Sequence, residues 1–271
     1  MSYTCKTLIT DAATRSSRDK KLSICLAANG FSFAETDPSH HLCTFGEVVG
    51  THAFTMTGVM ADLKTLFAEI GLRPLGYASM ELIVLSDIST WVPDELYSSL
   101  SNRHYLNLLG GSAEGILTCH SQALQSTAVF AANEQVVTAF KVAMPGISVM
   151  HQHAKLSRLA STCADHPLIV CNLRQGRADV AAFNDGRYVF GNTLHYSSVE
   201  ESVYALVEAM KSLEIEHDNT ELRLCGDVDR AVFSAYRPYF PHTTLYSPID
   251  PSQLSSDFNN FPTYRYALLL I

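Results

Sequence analysis

Apolar and polar residues alternate along this chain in short runs that predict strands, and one such pattern occurs twice, about half the chain apart. Residues 22–27 and 31–35 form the first pair of strand-like runs, and residues 168–173 and 178–183 form the second. In each pair a cysteine precedes a glycine by five residues, and the second run follows that glycine, as expected of a β-hairpin. The repeat predicts two similar halves with a cleft between them.

Between these runs, apolar residues recur at the three- and four-residue spacing of amphipathic helices. Residues 59–72 form one such segment, and a second follows Ser198, the candidate N-cap, with Glu200 and Glu201 in its first turn. Pro93, followed by Asp94 and Glu95, also predicts the start of a helix. Each half thus predicts three strands, a helix, a strand and a helix. This order is typical of an α/β protein with mixed sheets flanked by helices.

The length of 271 residues suits two domains of roughly 130 residues each better than one domain. We predict an N-terminal extension at residues 1–20, a first domain at 21–152 and a second domain at 153–271. The extension is polar, and we expect it to be frayed or to lie across the surface.

Composition and charge narrow the function classes. Apolar residues make up 47% of the chain, and its formal net charge is −8, with no basic cluster. That sign repels phosphate backbones, so nucleic acid is not an expected partner. The longest apolar runs, such as residues 267–271, have the length of a strand, whereas a membrane-spanning helix needs roughly 20 apolar residues. We therefore expect no membrane insertion and a cytoplasmic location.

The seven cysteines are odd in number and scattered, with no Cys-x-x-Cys pair. Several lie in apolar runs, where a free thiol behaves as a small hydrophobic group, so reduced core cysteines are favoured over disulfides or a zinc site. Cys119 and His120 are adjacent in a strand-like run. Because neighbours on a strand point to opposite faces, they are not expected to form a nucleophilic dyad.

Histidines and acids offer two further candidate sites. We interpret the paired or clustered histidines as surface or loop-end residues and expect no metal site: His40, His41, His104, His151 and His153. Asp227 and Asp229 could form an acid pair beside Arg230, but their spacing fits a loop that leads to a helix cap better.

The predicted order of elements and one long segment carry a resemblance to known families. The segment is residues 178–196, ADVAAFNDGRYVFGNTLHY, continued by residues 201–204 and 222–226. It resembles the actin-like ATPase superfamily, whose halves are ribonuclease H-like domains. It is also similar to an uncharacterised bacterial family of unknown function with the actin-like ATPase fold, and to the actin-like domains of pilus-assembly and secretion-platform proteins. The resemblance implies two ribonuclease H-like domains in an actin-like arrangement.

The resemblance also implies where a nucleotide would bind. In active members the first hairpin of each half holds an Asp two residues before a Gly, and the turn cradles phosphate while the carboxylates organise Mg²⁺. Here Ala28 and Arg174 lie two residues before the hairpin glycines. The adenosine-binding turn normally carries paired glycines, and this chain has Gly226 followed by Asp227. ATP hydrolysis is therefore not expected.

Any cofactor would bind in the cleft between the halves, and no residue is assigned a catalytic role. The candidate cofactor-binding residues are Asn29, Gly30, Arg174, Gly176, Gly226 and Asp227. Two functions stay open. The first is a non-catalytic actin-like protein that acts as a scaffold or assembly partner, with a protein partner or a homodimer and no cofactor. The alternative is a nucleotide-binding ATPase or kinase-like enzyme that uses ATP and Mg²⁺ through atypical phosphate-loop residues.

Overall fold

A computed structural model describes residues 3–11, 19–27, 30–50, 56–74, 76–109, 115–162 and 166–271. The chain divides into two compact units. The first comprises Met1–Ala154, Ile249–Phe261 and Leu270, and the second comprises Lys155–Pro248, Pro262–Leu269 and Ile271.

The described part of the first unit contains nine strands, three helices and the beginning of a fourth helix. Its strands are β1 (Tyr3–Thr10), β2 (Lys21–Ala27), β3 (Gly30–Thr36), β4 (Leu42–Gly50), β5 (Ser79–Val84), β6 (Ser89–Pro93), β7 (Ile116–Ser121), β8 (Ser126–Ala131) and β9 (Ser148–His151). Its helices are α1 (Met56–Glu69), α2 (Asn102–Asn107), α3 (Glu134–Ala143) and α4 (Gln152–Leu156), the last of which continues into the second unit along the chain. Short 3-10 helices lie at Ser99–Ser101, Pro251–Gln253 and Ser256–Phe258.

Six of these strands form one mixed sheet in the order β1-β4-β3-β2-β5-β9. The strands from β1 to β2 are antiparallel, and β2, β5 and β9 are parallel. β1 pairs with β4 from Tyr3 to Thr10 as an edge strand. The expectation of a frayed N-terminal extension was therefore wrong for residues 3–10, because their backbone pairs with β4 in the sheet. Residues 12–18 lie outside the described part of the chain.

Helices α1 and α3 pack side by side on one face of this sheet. Asn133 caps α3, since its side chain accepts a hydrogen bond from the Val136 amide. The ring of Phe140, which is fully buried, lies at the centre of the core and meets the rings of Phe31 and Phe67 at centroid distances of 5.5 and 5.9 Å. The helix predicted at residues 59–72 is thus confirmed as α1, which begins and ends three residues earlier.

A second, smaller sheet interrupts the expected order of elements in this unit. Its strands run β6-β8-β7, all antiparallel, and α2 packs against it through Leu106. Pro93 ends β6 and its carbonyl accepts from the Leu96 amide in a turn. The helix start predicted at Pro93 was therefore wrong, and the helix expected after β5 comes only after this insertion, as α3.

The described part of the second unit has five strands and three further helices. The strands are β10 (Leu168–Arg174), β11 (Arg177–Asn184), β12 (Arg187–His195), β13 (Glu221–Gly226) and β14 (His242–Leu245). The helices are α5 (Val199–Ser212), α6 (Arg230–Tyr236) and α7 (Ala267–Leu270), and 3-10 helices lie at Ser157–Thr162, His217–Asn219 and Thr263–Tyr266. The apolar run at residues 267–271, with the length of a strand, thus includes a helix.

The strand order of the second unit is β12-β11-β10-β13-β14. The first three strands are antiparallel and the last three are parallel, as in the β4-β3-β2-β5-β9 part of the first sheet. Helices α5 and α6 cover the face that carries Cys171, Val180 and Leu224. Ser198 caps α5 as predicted, with its hydroxyl accepting from the Glu201 amide. The three-strand, helix, strand, helix order is confirmed in this unit.

The hairpin β2–β3 corresponds to the hairpin β10–β11, but the corresponding residues differ by one position from those that the sequence repeat aligns. Ala27 pairs with Gly30 across one loop, and Arg174 pairs with Arg177 across the other. Counted from these loops, Gly30 corresponds to Arg177, and the Cys-to-Gly alignment was wrong by one position. A shift of one residue moves every side chain of a strand to the opposite face.

We expect Phe140→Ala to lower the free energy of unfolding by about 3–5 kcal/mol, because it opens a cavity among buried aromatic rings. Val142→Ala, on the same helix and 46% exposed, is the control and should change it by less than about 0.5 kcal/mol. Urea unfolding followed by the fluorescence of Trp91, the one tryptophan of the chain, measures both. Equal effects of the two variants would contradict this description of the core.

Candidate functional site

The six candidate binding residues fall in different parts of the chain. Asn29 lies outside the described residues, and Gly30 belongs to the first unit. Arg174, Gly176, Gly226 and Asp227 belong to the second unit. There they lie at or just beyond the carboxyl ends of the parallel strands β10 and β13, the edge at which open α/β sheets usually bind ligands.

The sequence pattern places Gly30 in a hairpin turn, but in the structure it is a strand residue. It is the first residue of β3, paired with Ala27 on one side and Val49 on the other. A Cβ atom at this position would lie 2.1 Å from the Val48 carbonyl oxygen. Glycine is therefore needed here for the close approach of two strands.

Gly176 does form a turn. Its φ is +66°, in the left-handed region that favours glycine. Tyr196 ties this turn to the end of β12, since its amide donates to the Gly176 carbonyl at 3.1 Å and its hydroxyl donates to the Arg174 carbonyl at 2.6 Å. Burial, together with the nearby Cys171 and Asp227, raises the pKa of the Tyr196 hydroxyl, so it stays a hydrogen-bond donor at neutral pH.

The turn after β13 is drawn tightly onto β10. Gly226 has φ +84°, and a Cβ atom there would lie 2.1 Å from the Leu173 carbonyl oxygen. The Asp227 amide donates to that same carbonyl at 2.8 Å, and the Val228 amide donates to the Gly226 carbonyl at 2.8 Å. Two amides that could face a phosphate are thus engaged by the backbone.

The carboxylate of Asp227 is paired with an arginine from the C-terminal segment. Arg265 donates to its Oδ1 from Nε at 3.2 Å and from Nη2 at 3.0 Å. Arg265 lies in the 3-10 helix Thr263–Tyr266, which packs against β13. Asp229, the other acid of the predicted pair, caps α6 by accepting from the Val232 amide, as predicted.

A fully buried carboxylate lies near this edge. Asp179 on β11 is fully buried, and its side chain lies in a row with its cross-strand partners Asn172 and Thr193. Arg174 donates to it twice, from Nε to Oδ2 at 2.7 Å and from Nη2 to Oδ1 at 2.8 Å. The amide of Asn172 donates to Oδ2 at 3.1 Å, and the hydroxyl of Thr193 donates to Oδ1 at 2.8 Å.

Sequence reasoning included Arg174 but missed Asp179, Asn172 and Thr193. A signal was present, because Asp179 is an acid inside an otherwise apolar strand-like run. Once the hairpin turn is placed at residues 175–176, the register brings residue 172 opposite residue 179. The Asp and Asn side chains then must share one face of the sheet.

Two buried thiols of this sheet have little reactivity: Cys171 lies on the face covered by α5 and α6, and Cys225 lies on the opposite face beside Asn172. Burial, with the charge of Asp179, raises the pKa of Cys171 to about 12, and it also raises the pKa of Cys225. Both cysteines are fully buried, Cys43 and Cys119 are also buried, and Cys5 and Cys25 are half-buried. Thiols of this kind remain protonated and are poor nucleophiles, which agrees with the predicted role in the core.

The histidine predictions divide into two groups. His40, His41 and His104 are exposed as expected. His151 and His153 were wrongly placed at the surface, because both are buried, and the His151 ring packs 4.9 Å from that of Phe130. Across the described ranges, His, Cys, Asp and Glu side chains nowhere come together in a group of three that could hold a metal ion.

The described ranges also contain no helix long and apolar enough to span a membrane.

We expect Gly226→Ala to lower the free energy of unfolding by about 3 kcal/mol or more, because the new methyl group meets the Leu173 carbonyl in a strained conformation. Gly186→Ala is the matched control. Its φ is +70° but a Cβ there meets nothing within 4 Å, so about 1 kcal/mol is expected from backbone strain alone. Urea unfolding followed by circular dichroism compares them, and equal losses would contradict the close approach of the turn to β10.

Solved structures with similar folds include a Bacteroides thetaiotaomicron protein with an actin-like ATPase fold and unknown function. Its TM-score is 0.69 at 17% identity, over 94% of this chain and 96% of that chain. The PilM–PilN type IV pilus biogenesis complex gives a TM-score of 0.54 at 12% identity, over 93% of this chain and 97% of that chain. The ethanolamine utilization protein EutJ from Carboxydothermus hydrogenoformans gives 0.53 at 10% identity, over 97% and 93%.

These likenesses confirm the predicted actin-like ATPase fold, and identities this low show the fold alone. No curated protein matches the chain. Residues 10–243 match the family described as "Protein of unknown function (DUF3822)". Because this match covers most of the chain, the protein belongs to the DUF3822 family and has the actin-like ATPase fold.

Proposed function

We propose that this protein is a non-catalytic actin-like protein that acts as an assembly partner for another protein chain, in the cytoplasm. The observation that carries this proposal is a group of exposed leucines in the small-sheet insertion of the first unit. Its members, with their exposed fractions, are Leu96 (70%), Leu100 (97%), Leu108 (73%) and Leu109 (50%). We call them the leucine segment.

The leucine segment is held in place by neighbouring contacts. The Tyr105 hydroxyl donates to the Leu96 carbonyl at 2.9 Å and accepts from the Ser98 amide at 3.1 Å. Leu106, between the exposed leucines in sequence, is buried against Val92 and Val129 of the small sheet. The exposed leucines are thus presented by a packed scaffold. Four exposed leucines within 14 residues of the sequence are a feature that protein-interaction sites can carry.

The structural neighbours support a partner of different sequence. PilM is found in a complex with PilN, so an actin-like chain of this fold can assemble with another protein. We extend that behaviour to this chain and place its contact on the leucine segment. A second copy of the same chain is the competing occupant, and it is distinguished by the mass of the complex.

The absence of catalysis is supported by the charges at the carboxyl edge of the second unit. Two carboxylates near that edge, the buried Asp179 and the half-exposed Asp227, are each bound by an arginine of the same chain. Two amides of the turn after β13 donate to backbone carbonyls. These residues do not fit ATP with Mg²⁺, which needs carboxylates turned to a hydrated metal and amides turned to phosphate.

We expect a photo-crosslinking amino acid at position 100, in the full chain expressed in its own cells, to give an adduct with a chain of different mass. Leu96→Ser and Leu108→Ser should each remove most of that adduct, because an anchor side chain at an interface often contributes about 2 kcal/mol or more. Both variants should change the free energy of unfolding by less than about 0.5 kcal/mol, since the two leucines are largely exposed.

The matched control is Leu245→Ser in the second unit, where the leucine is 44% exposed on strand β14. It should leave the adduct unchanged. An adduct of twice the chain mass would show a homodimer instead. The absence of any adduct, or equal loss in the control, would contradict a partner at the leucine segment.

A further inference from the structure

The Asp179 carboxylate presents a charge-balance problem that the fold must solve. It lies on the sheet face opposite to α5 and α6, in a row that continues from Thr193 through Asn172 to Cys225 on β13. Its side chain has no exposed surface. A carboxylate so deeply buried must bind a cation, be protonated, or receive charged hydrogen bonds.

The groups around Asp179 are arranged for a bare carboxylate. Arg174, Asn172 and Thr193 all direct hydrogen atoms at its two oxygens, and the two arginine contacts are parallel and bidentate. A divalent metal would instead need oxygen atoms turned towards the ion. The donor chemistry of this cluster therefore disagrees with the metal that the actin-like ATPase fold implies.

Arg174 comes from the same hairpin as Asp179. It is the last residue of β10, two positions after Asn172 and on the same face of the sheet. Its side chain is 23% exposed, so the guanidinium lies between the buried carboxylate and the solvent. That is the position from which an ion in solution would reach Asp179.

We propose that Arg174 is a built-in counter-ion that takes the place of a divalent cation beside Asp179, so that the second unit completes its fold without a ligand. The guanidinium supplies a permanent positive charge and two fixed hydrogen bonds, which a bound ion would supply only when present. This inference concerns the second unit alone and holds whichever partner binds the leucine segment.

The test is thermal melting of the full chain with and without millimolar Ca²⁺ or Mg²⁺. The wild-type melting temperature should not respond to either ion. Arg174→Ala leaves a buried carboxylate uncompensated, so its melting temperature should fall by about 10 °C and be partly restored by the ion in a saturable manner. Arg174→Lys retains the positive charge, so its melting temperature should lie between those of the wild type and Arg174→Ala and should not respond to either ion.

The double variant Arg174→Ala with Asp179→Asn separates charge from packing. With both charges removed, it should melt above Arg174→Ala and lose the response to the ion. If Arg174→Ala cannot be obtained folded, recovery of the double variant, or of the single variant only when Ca²⁺ is present, supports the counter-ion role. If the double variant also fails to fold, Arg174 acts through packing and the proposal is overturned.

The matched control is Arg223→Ala. Arg223 also makes two hydrogen bonds to one carboxylate, that of Glu221, but that side chain is 23% exposed at the amino end of β13. We expect a smaller fall in melting temperature and no ion response, because water can solvate the carboxylate left behind. An ion response in the wild type that Asp179→Asn removes would also overturn the proposal.

Discussion

The need to compensate one buried carboxylate organises the carboxyl edge of the second unit. Asp179 is fully buried in the sheet, and the compensating charge comes from Arg174, five residues earlier in the same hairpin. The hairpin register fixes both positions, because Asn172 is paired directly with Asp179. Losing one member of such a pair is costly, because it leaves an uncompensated buried charge, whereas the intact pair contributes little net stability. Close backbone contacts at Gly226 and the Arg265 contact with Asp227 complete that edge.

The two units differ in the features that they present. In the second unit, Asp179, Asp227 and two amides of the turn after β13 bind other groups of the same chain. In the first unit, an insertion between β5 and α3 presents large apolar side chains on a packed support. In the function proposed above, the insertion carries the interaction site and the rest of the first unit supports it. Function on a shared fold depends on such local sites, not on the fold itself.

The sequence predicted the fold better than the site. Strand runs, helix caps such as Ser198 and Asp229, and the actin-like resemblance all agreed with the structure. Two kinds of feature were missed for physical reasons. Alignment of the hairpins by their glycines gave the wrong register, because Gly30 is required by the Val48 carbonyl and not by a turn. The edge strand β1 and the buried His151 depend on long-range contacts that local patterns do not encode. The cleft between the halves and the roles of the six candidate residues stay predictions.

The most direct test of whether this protein works without a nucleotide is thermal melting of the wild-type protein in millimolar ATP with Mg²⁺. A ligand that binds only the native state raises stability by RT ln(1 + [L]/Kd), so even weak binding would shift the transition. Because Asp179, Asp227 and two amides of the turn after β13 are engaged within the chain, we predict an unchanged melting temperature. A saturable rise of several degrees with ATP would contradict the proposal that this actin-like protein works without a nucleotide.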